Sequence, residues 1–226
     1  MSLPLAQINA AATVRLVPSG HSKPPVLAPL ADSREDEELI MQLEGMTSGR
    51  LVAEVEGLKN LDPRELTYRV WGHTYINAAF TYTREEGNRF NDNTRGAWYC
   101  AFEDLTSLEE IIYHRTRELE RISVFEDQVE YQSLLASFVG EYHDVRNVNP
   151  KPDYLGPDPV SAYPKGQKLA RLLRSIGSNG IVYPSARRPG HDCLVAFSPH
   201  LVQNVRYGGR WRLLWDGNPR PTILGS

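Results

Sequence analysis

Arg89, Tyr99, Glu110 and Ser185 offer a guanidinium, a phenol, a carboxylate and a hydroxyl at points where the chain's local pattern changes. A guanidinium grips an anion through forked hydrogen bonds, and a fixed carboxylate stabilises positive charge that develops beside it. Arg89 lies in the polar run "GNRFND" together with Asn91, Tyr99 in the apolar run "WYCAF", Glu110 in "TSLEE" and Ser185 in "YPSARRPGHD". Arg89 precedes Tyr99 by ten residues and Tyr99 precedes Glu110 by eleven, so a loop, a strand and the first turns of a helix follow in quick succession. At about 3.3 Å per strand residue, that succession brings the three groups to one cleft.

Each group also has an ordinary duty. An arginine near an aspartate, as Arg89 is near Asp92, commonly forms a solvated pair of little energetic weight. A strand tyrosine is usually core, an acid early in a helix complements its dipole, and a serine after proline is a common turn residue. The remaining clusters carry less. Adjacent His191, Asp192 and Cys193 point in different directions and have no second pair at zinc spacing, so no metal site is expected. Cys100 and Cys193 are the only cysteines and are expected to be reduced and packed. His114 and Arg115 belong to a charged helix face.

The elements that must position these groups are legible in outline. Residues 1–31, with "HSKPPVLAPLAD", are expected to form an N-terminal arm carrying at most one docked strand, "ATVRLV". Residues 32–65 are expected to be a helical extension: Leu39, Ile40, Leu43 and Met46 share one helical face, acids crowd the first turn, and Gly49 lies just beyond. "LTYRVWG" and "GAWYCAF" read as strands. "TSLEEIIYHRTRELERI" reads as a helix opened by a capping box of Thr106 and Glu109. Residues 124–145 read as β structure, and residues 149–164 as a proline-broken loop. "KGQKLARLLRSIG" then predicts a helix with Leu169, Leu172, Leu173 and Ile176 inward and Gly177 as its stop. "GIVYPS" and "CLVAFS" predict two strands, and "VRYGGRWRLLW" a hairpin turning at Gly208-Gly209. Short, unevenly spaced strands and helices imply an α+β domain around a mixed, mostly antiparallel sheet with flanking helices. No Gly-x-Gly-x-x-Gly turn and no phosphate-binding loop of the GxxxxGK[ST] type is present.

Composition narrows the function classes. The 226 residues carry a formal charge of −3, which gives no global basic field for nucleic acid. No apolar run approaches the roughly 20 residues that cross a bilayer, and the N-terminus lacks a basic leader, so a cytoplasmic protein without membrane contact is expected.

In order and spacing, "TYRVWG", "NAAF", "GNRFND", "RGAWYCAF", "TSLEEIIYHR" and "GQKLARLLRSIGSNGIVYPSARRPGHDCLVAFSPHLV" resemble the RES-domain family, the toxin half of bacterial toxin–antitoxin pairs. The resemblance spans about residues 66–202 and implies a catalytic domain over residues 66–226 with a fold similar to ADP-ribosyltransferases. It places the family's arginine, tyrosine, glutamate and serine on Arg89, Tyr99, Glu110 and Ser185, and a further arginine on Arg69. Phe90 departs from the family, standing where many members have tryptophan. Glu110 is preferred over Glu109 because the capping box would occupy Glu109 and because the spacing to "YHR" fits better.

The resemblance implies degradation of NAD⁺, bound as a substrate and not as a cofactor, at the bond between nicotinamide and ribose. Nicotinamide departs neutral while positive charge grows on the ribose, so a nearby anion lowers the barrier. Glu110 would be that anion, Arg89 would hold phosphate, Tyr99 would stack on the nicotinamide ring, and Ser185 would orient ribose or carboxamide. Arg69, Asn91, Arg187 and Arg188 are expected around the substrate. Phosphorolysis with inorganic phosphate as co-substrate and hydrolysis are both open. The alternatives are ADP-ribosylation of a macromolecule and a catalytically silent antitoxin-binding module. The implied partner is a small helix-turn-helix antitoxin of the Xre type, through which alone DNA would be contacted. Exposed aromatics in "GGRWRLLW" are candidates for a homo-oligomeric interface.

Overall fold

The computed structural model describes residues 3–19 and 61–225. The helix expected over residues 32–49 lies outside them.

The described chain builds strand β1 (Leu5–Pro18), helix α1 (His73–Thr81), β2 (Trp98–Ala101), α2 (Asp104–Ile122), β3 (Glu126–Asp144), α3 (Pro159–Ser175), β4 (Gly180–Pro184), β5 (Asp192–Ala196), β6 (Gln203–Asp216) and β7 (Thr222–Gly225). The seven strands form one sheet in the order β1-β2-β5-β4-β3-β6-β7, and β1 also pairs with β3. All pairings are antiparallel except that of β3 with β4. The result is the mixed, mostly antiparallel α+β arrangement that the sequence predicts. Because β1 meets both β2 and β3, the first five strands of that order close on themselves, and the long strands β1 and β3 bend to allow it.

Alternation along the short strands separates two faces. Trp98, Cys100, Val182, Leu194 and Ala196 join Phe138, Tyr142 and the α1 residues Ile76 and Phe80 in one core. Ala101, Ile181, Tyr183, Cys193 and Val195 join Phe90 and the α3 residues Ala170 and Leu173 in a second. A third core packs Leu108, Ile112 and Leu119 of α2 against Leu16, Tyr131, Leu213 and Trp215.

Several expectations are corrected. "LTYRVWG" is not a strand: after a short 3-10 turn at Pro63–Glu65 the chain bends, Arg69 adopts φ 59°, and Tyr68, Val70 and Trp71 stay exposed. The aromatic and β-branched residues that imitate a strand instead lead into α1, which the sequence reading passed over. The N-terminal segment forms a strand of 14 residues, well beyond "ATVRLV", and lies inside the sheet between β2 and β3.

Helix α3 begins at Pro159, six residues earlier than predicted. Asp158 caps it by accepting from the amides of Val160 and Ser161, and Pro164 is carried within its first turns. Its buried face is Ala162, Gly166, Ala170 and Leu173, while Leu172 and Ile176 are exposed. Apart from Leu173, small residues face inward because α3 lies close against neighbouring backbone. Gly177 does end the helix, at φ 76°, with Ser178 N bonded to Leu173 O.

β6 runs unbroken through Gly208 and Gly209, so there is no hairpin there. A β-carbon at Gly208 would lie 3.0 Å from Ser133 Cβ, so this glycine serves close strand packing and not a turn. Trp215 of the same segment is buried, which removes it from an exposed interface, whereas Trp211 is half-buried at the margin of the third core. Among the described residues no helix is long and apolar enough to cross a membrane.

Candidate active site

On the second sheet face, four chain segments meet between α2 and α3. They are the loop at residues 84–92, the first turns of α2, the loop at residues 149–158 and the β4–β5 turn at residues 185–191.

Ser185 is the best-fixed group. Its hydroxyl donates to Glu110 Oε1 at 2.6 Å and accepts from the backbone amides of Arg187 and Arg188 at 3.1 and 3.0 Å. The turn is closed by Ser185 N bonded to His191 O. Ser185 is buried, so donor and acceptor capacity are both used inside the protein. The hydroxyl holds a carboxylate and is not turned toward a ligand. Glu110 Oε2 takes no hydrogen bond from any described residue.

Glu109, the rival carboxylate, binds Arg220 at 2.5 Å. The capping box that argued against it is absent. Glu103 caps α2 without a side-chain bond, and Thr106 lies inside the helix, where its Oγ1 accepts from Arg188 at 2.9 Å.

Arg89 is 7% exposed and does not pair with Asp92, which binds Arg171 instead. Its Nη1 donates to the carbonyls of Tyr154 and Gly156 at 2.6 and 2.9 Å. Arg187 donates to Pro157 O at 2.6 Å. Both guanidiniums are thus anchored by the proline-rich loop, whose prolines lack N–H donors and whose carbonyls accept from elsewhere. Each also lies over an aromatic ring. Arg89 Cζ is 5.4 Å from the centroid of Tyr163, and Arg187 Cζ is 3.2 Å from that of Tyr113.

These groups share one electrostatic environment. Burial raises the Tyr163 phenol, opposed by Arg89 and Arg187 and reinforced by Glu110. Burial lowers Arg187, opposed by Tyr113, Glu110 and Tyr163. His114, one helical turn beyond Glu110, is pushed down to about 4 by burial and then by Arg84, Arg187, Arg117 and Arg89. The imidazole is therefore neutral at physiological pH within a cationic wall. Tyr163 and His114 also line a cavity of about 350 Å³, bounded further by Arg84, Asn88, Arg117 and Gln167.

The other sequence candidates are placed differently. Tyr99 Oη accepts from Phe90 N at 2.8 Å and donates to Asn91 Oδ1 at 2.9 Å, and burial keeps the phenol protonated. Asn91 is 1% exposed. The two residues therefore pin the Arg89 loop to β2, where contact with a ligand had been expected. Arg188 bonds Thr106 Oγ1, Glu103 and His191, tying the β4–β5 turn to the start of α2. Arg69, exposed in the bend before α1, makes no hydrogen bond or ion pair with these groups among the described residues.

Sequence reasoning missed Tyr113 and Tyr163. Tyr113 was findable, three residues after Glu110 and hence on the same helical face. Tyr163 was hidden because its segment was assigned to a loop.

The architecture agrees with a family match, and one relative is similar in sequence. A family model described as "RES domain" matches residues 66–216. The chain is 26% identical over 207 residues to the uncharacterized protein y4oC of Sinorhizobium fredii (strain NBRC 101917 / NGR234), covering 90% of this chain and 82% of that protein.

Proposed function

The chain belongs to the RES domain family, and from that premise we propose that it is an NAD⁺-degrading enzyme cleaving the bond between nicotinamide and ribose, by phosphorolysis or hydrolysis. RES domains are associated with toxin–antitoxin systems and with NAD⁺ as substrate. In this reading the chain is a toxin, neutralised by a small Xre-type helix-turn-helix protein whose C-terminal part covers the cleft.

One observation carries the reading: Glu110, Arg89 and the pair Ser185 and Arg187, which come from three separate segments, meet around one cleft. As nicotinamide departs neutral, the ribose acquires oxocarbenium character, and an anion held in place stabilises it without reorganising at the moment of reaction. The Ser185 hydrogen bond and the α2 backbone hold the Glu110 carboxylate. Arg89 and Arg187 are anchored through single nitrogens to loop carbonyls and keep further N–H donors for the pyrophosphate. Tyr113 and Tyr163 flank these cations and supply flat surfaces for a ring. Ser185, Tyr99 and Asn91 act as positioning residues, the first for Glu110 and the others for Arg89.

The test is consumption of NAD⁺ by purified full-length chain, with products weighed by mass in buffers with and without phosphate. ADP-ribose 1″-phosphate in the first buffer identifies phosphorolysis, and ADP-ribose in both identifies hydrolysis. Glu110→Gln is expected to lower kcat by about 10²- to 10³-fold, the usual cost of removing a preorganised electrostatic group. Undiminished NAD⁺ with folded wild-type protein under both conditions overturns the reading.

A further inference from the structure

The cavity beside the cluster holds more positive charge than cleaving NAD⁺ requires. Arg84, Arg117 and Arg121 all line it, with His114, Tyr163 and Gln167. Arg89 and Arg187, the arginines assigned to the pyrophosphate, are not among its lining residues. The two groups of cations occupy successive stretches of one groove, and α2 is the ruler between them. Arg117 and Arg121 lie seven and eleven residues beyond Glu110, or about 10 and 16 Å at 1.5 Å per residue.

Little within the protein explains this second group. Arg117 and Arg121 stand at i,i+4 on α2, where like charges repel. Arg117 makes its one hydrogen bond among the described residues to Tyr113, with Nη1 3.4 Å from its hydroxyl and Cζ 5.7 Å from its ring, and acts only at longer range on the Asp158 carboxylate, which already caps α3. Arg121 makes no hydrogen bond or ion pair among the described residues. Arg84 pairs with Glu118 at 3.2 Å, but Glu118 also accepts from Arg115 at 2.9 Å, so one carboxylate is shared by two cations. Glu86 is the other acid on the lining, and it is exposed. After burial, which is the larger cause, Arg84 and Arg117 also push the His114 pKa down.

We propose that this cavity receives the adenosine end of the dinucleotide and that Arg117 and Arg121 bind a phosphomonoester on it, which makes the 2′-phosphorylated dinucleotide, NADP⁺, a substrate. The assignment rests on the NAD⁺-cleaving reading above. An attacking inorganic phosphate is a poor fit, because an acceptor must meet the ribose beside Glu110 and not two or three turns along the helix. A guanidinium near the adenosine ribose is the usual means of accommodating a 2′-phosphate. The volume of about 350 Å³ lies within the range of small-molecule sites.

The experiment titrates full-length chain calorimetrically with ADP-ribose and with its 2′-phosphate, alongside kcat/KM for NAD⁺ and NADP⁺. The 2′-phosphate is expected to tighten binding by about tenfold or more, as charge-assisted hydrogen bonds do. In Arg117→Ala/Arg121→Ala that ratio should fall toward one. Arg121→Gln alone, at an exposed position, should lower it part of the way with the fold intact. Equal or weaker binding of the phosphorylated ligand, or a ratio that survives the double substitution, overturns the assignment. If the binding ratio holds while neither dinucleotide is consumed, the cavity assignment stands and the bond-cleaving reading falls.

Discussion

The hydroxyl of Ser185 shows how residue type and residue role separate. From sequence it is a polar group in a turn, and the natural guess is that it touches a ligand. In the structure its proton goes to Glu110 and its lone pairs go to two amides, which makes it the link between the β4–β5 turn and α2. Ser185→Ala is therefore expected to act on kcat: loss of a charge-assisted bond worth about 1.5–3 kcal/mol should lower it by about 10- to 100-fold and leave KM for NAD⁺ within about threefold. Steady-state kinetics decide this, since a KM increase at constant kcat would put the hydroxyl on the substrate instead. The four residues were singled out in segments where backbone regularity breaks, and the family resemblance supplied their expected roles. Their partners were not, since Glu110 and Ser185 are 75 residues apart and only the fold sets which side chain uses up which donor. Tyr99 and Asn91 teach the same lesson: both were singled out by type, and both turn their polar atoms inward to hold the Arg89 loop.

Among elements, those recovered from sequence are those whose apolar pattern follows their burial directly. α2 has a stripe of Leu108, Ile112 and Leu119 on an otherwise charged helix, and β4 and β5 are short apolar runs buried on both faces. The misread ones invert the usual code. α1, "HTYINAAFT", opens after the exposed aromatics of a turn, and the inward face of α3 is built largely on Ala162, Gly166 and Ala170, with Leu173 its one buried leucine. That inversion has a functional reason. A β-carbon at position 166 would stand 2.2 Å from the Arg89 carbonyl oxygen, so only glycine lets α3 lie against the loop that carries the guanidinium. Gly166→Ala should displace that loop at a cost of about 1–3 kcal/mol, as overpacking typically does. At roughly 2–4 °C per kcal/mol for a chain of this size, a clear fall in Tm is expected. KM for NAD⁺ should rise with it, because Arg89 loses its register. Lys168→Ala, exposed on the same helix, should change stability by less than about 0.5 kcal/mol, and equal effects of the two would remove the special role of residue 166.

At the scale of the whole molecule, β1 gathers the N-terminal segment into the sheet, and α2 packs against it so that His114 is half-buried beside the arginines of the groove. Sequence composition could not reveal this, because a formal charge of −3 does not show that Arg84, Arg89, Arg117 and Arg187 gather around His114. The consequence is a pH dependence of stability with a definite sign. His114 titrates at about 4 in the folded protein and near the ordinary 6.5 when unfolded, so between those values the unfolded chain binds the extra proton. Stability is then full above about pH 6.5 and falls as pH drops toward 4, by about 2 kcal/mol between pH 7 and pH 5. His143, lowered by its own burial, adds to the loss in the same direction. The ion-paired carboxylates Glu65 and Asp144, whose pKa values are depressed by Arg95 and Arg146, contribute below this window. Urea unfolding at pH 7 and pH 5 should show the difference, and His114→Gln should remove most of it while retaining the fold. If the wild-type and His114→Gln proteins lose stability in parallel, His114 is not the group that senses this range. A ligand whose phosphates sit on Arg117 and Arg121 should blunt the same dependence, because partial neutralisation of the cationic wall lets His114 accept its proton at higher pH.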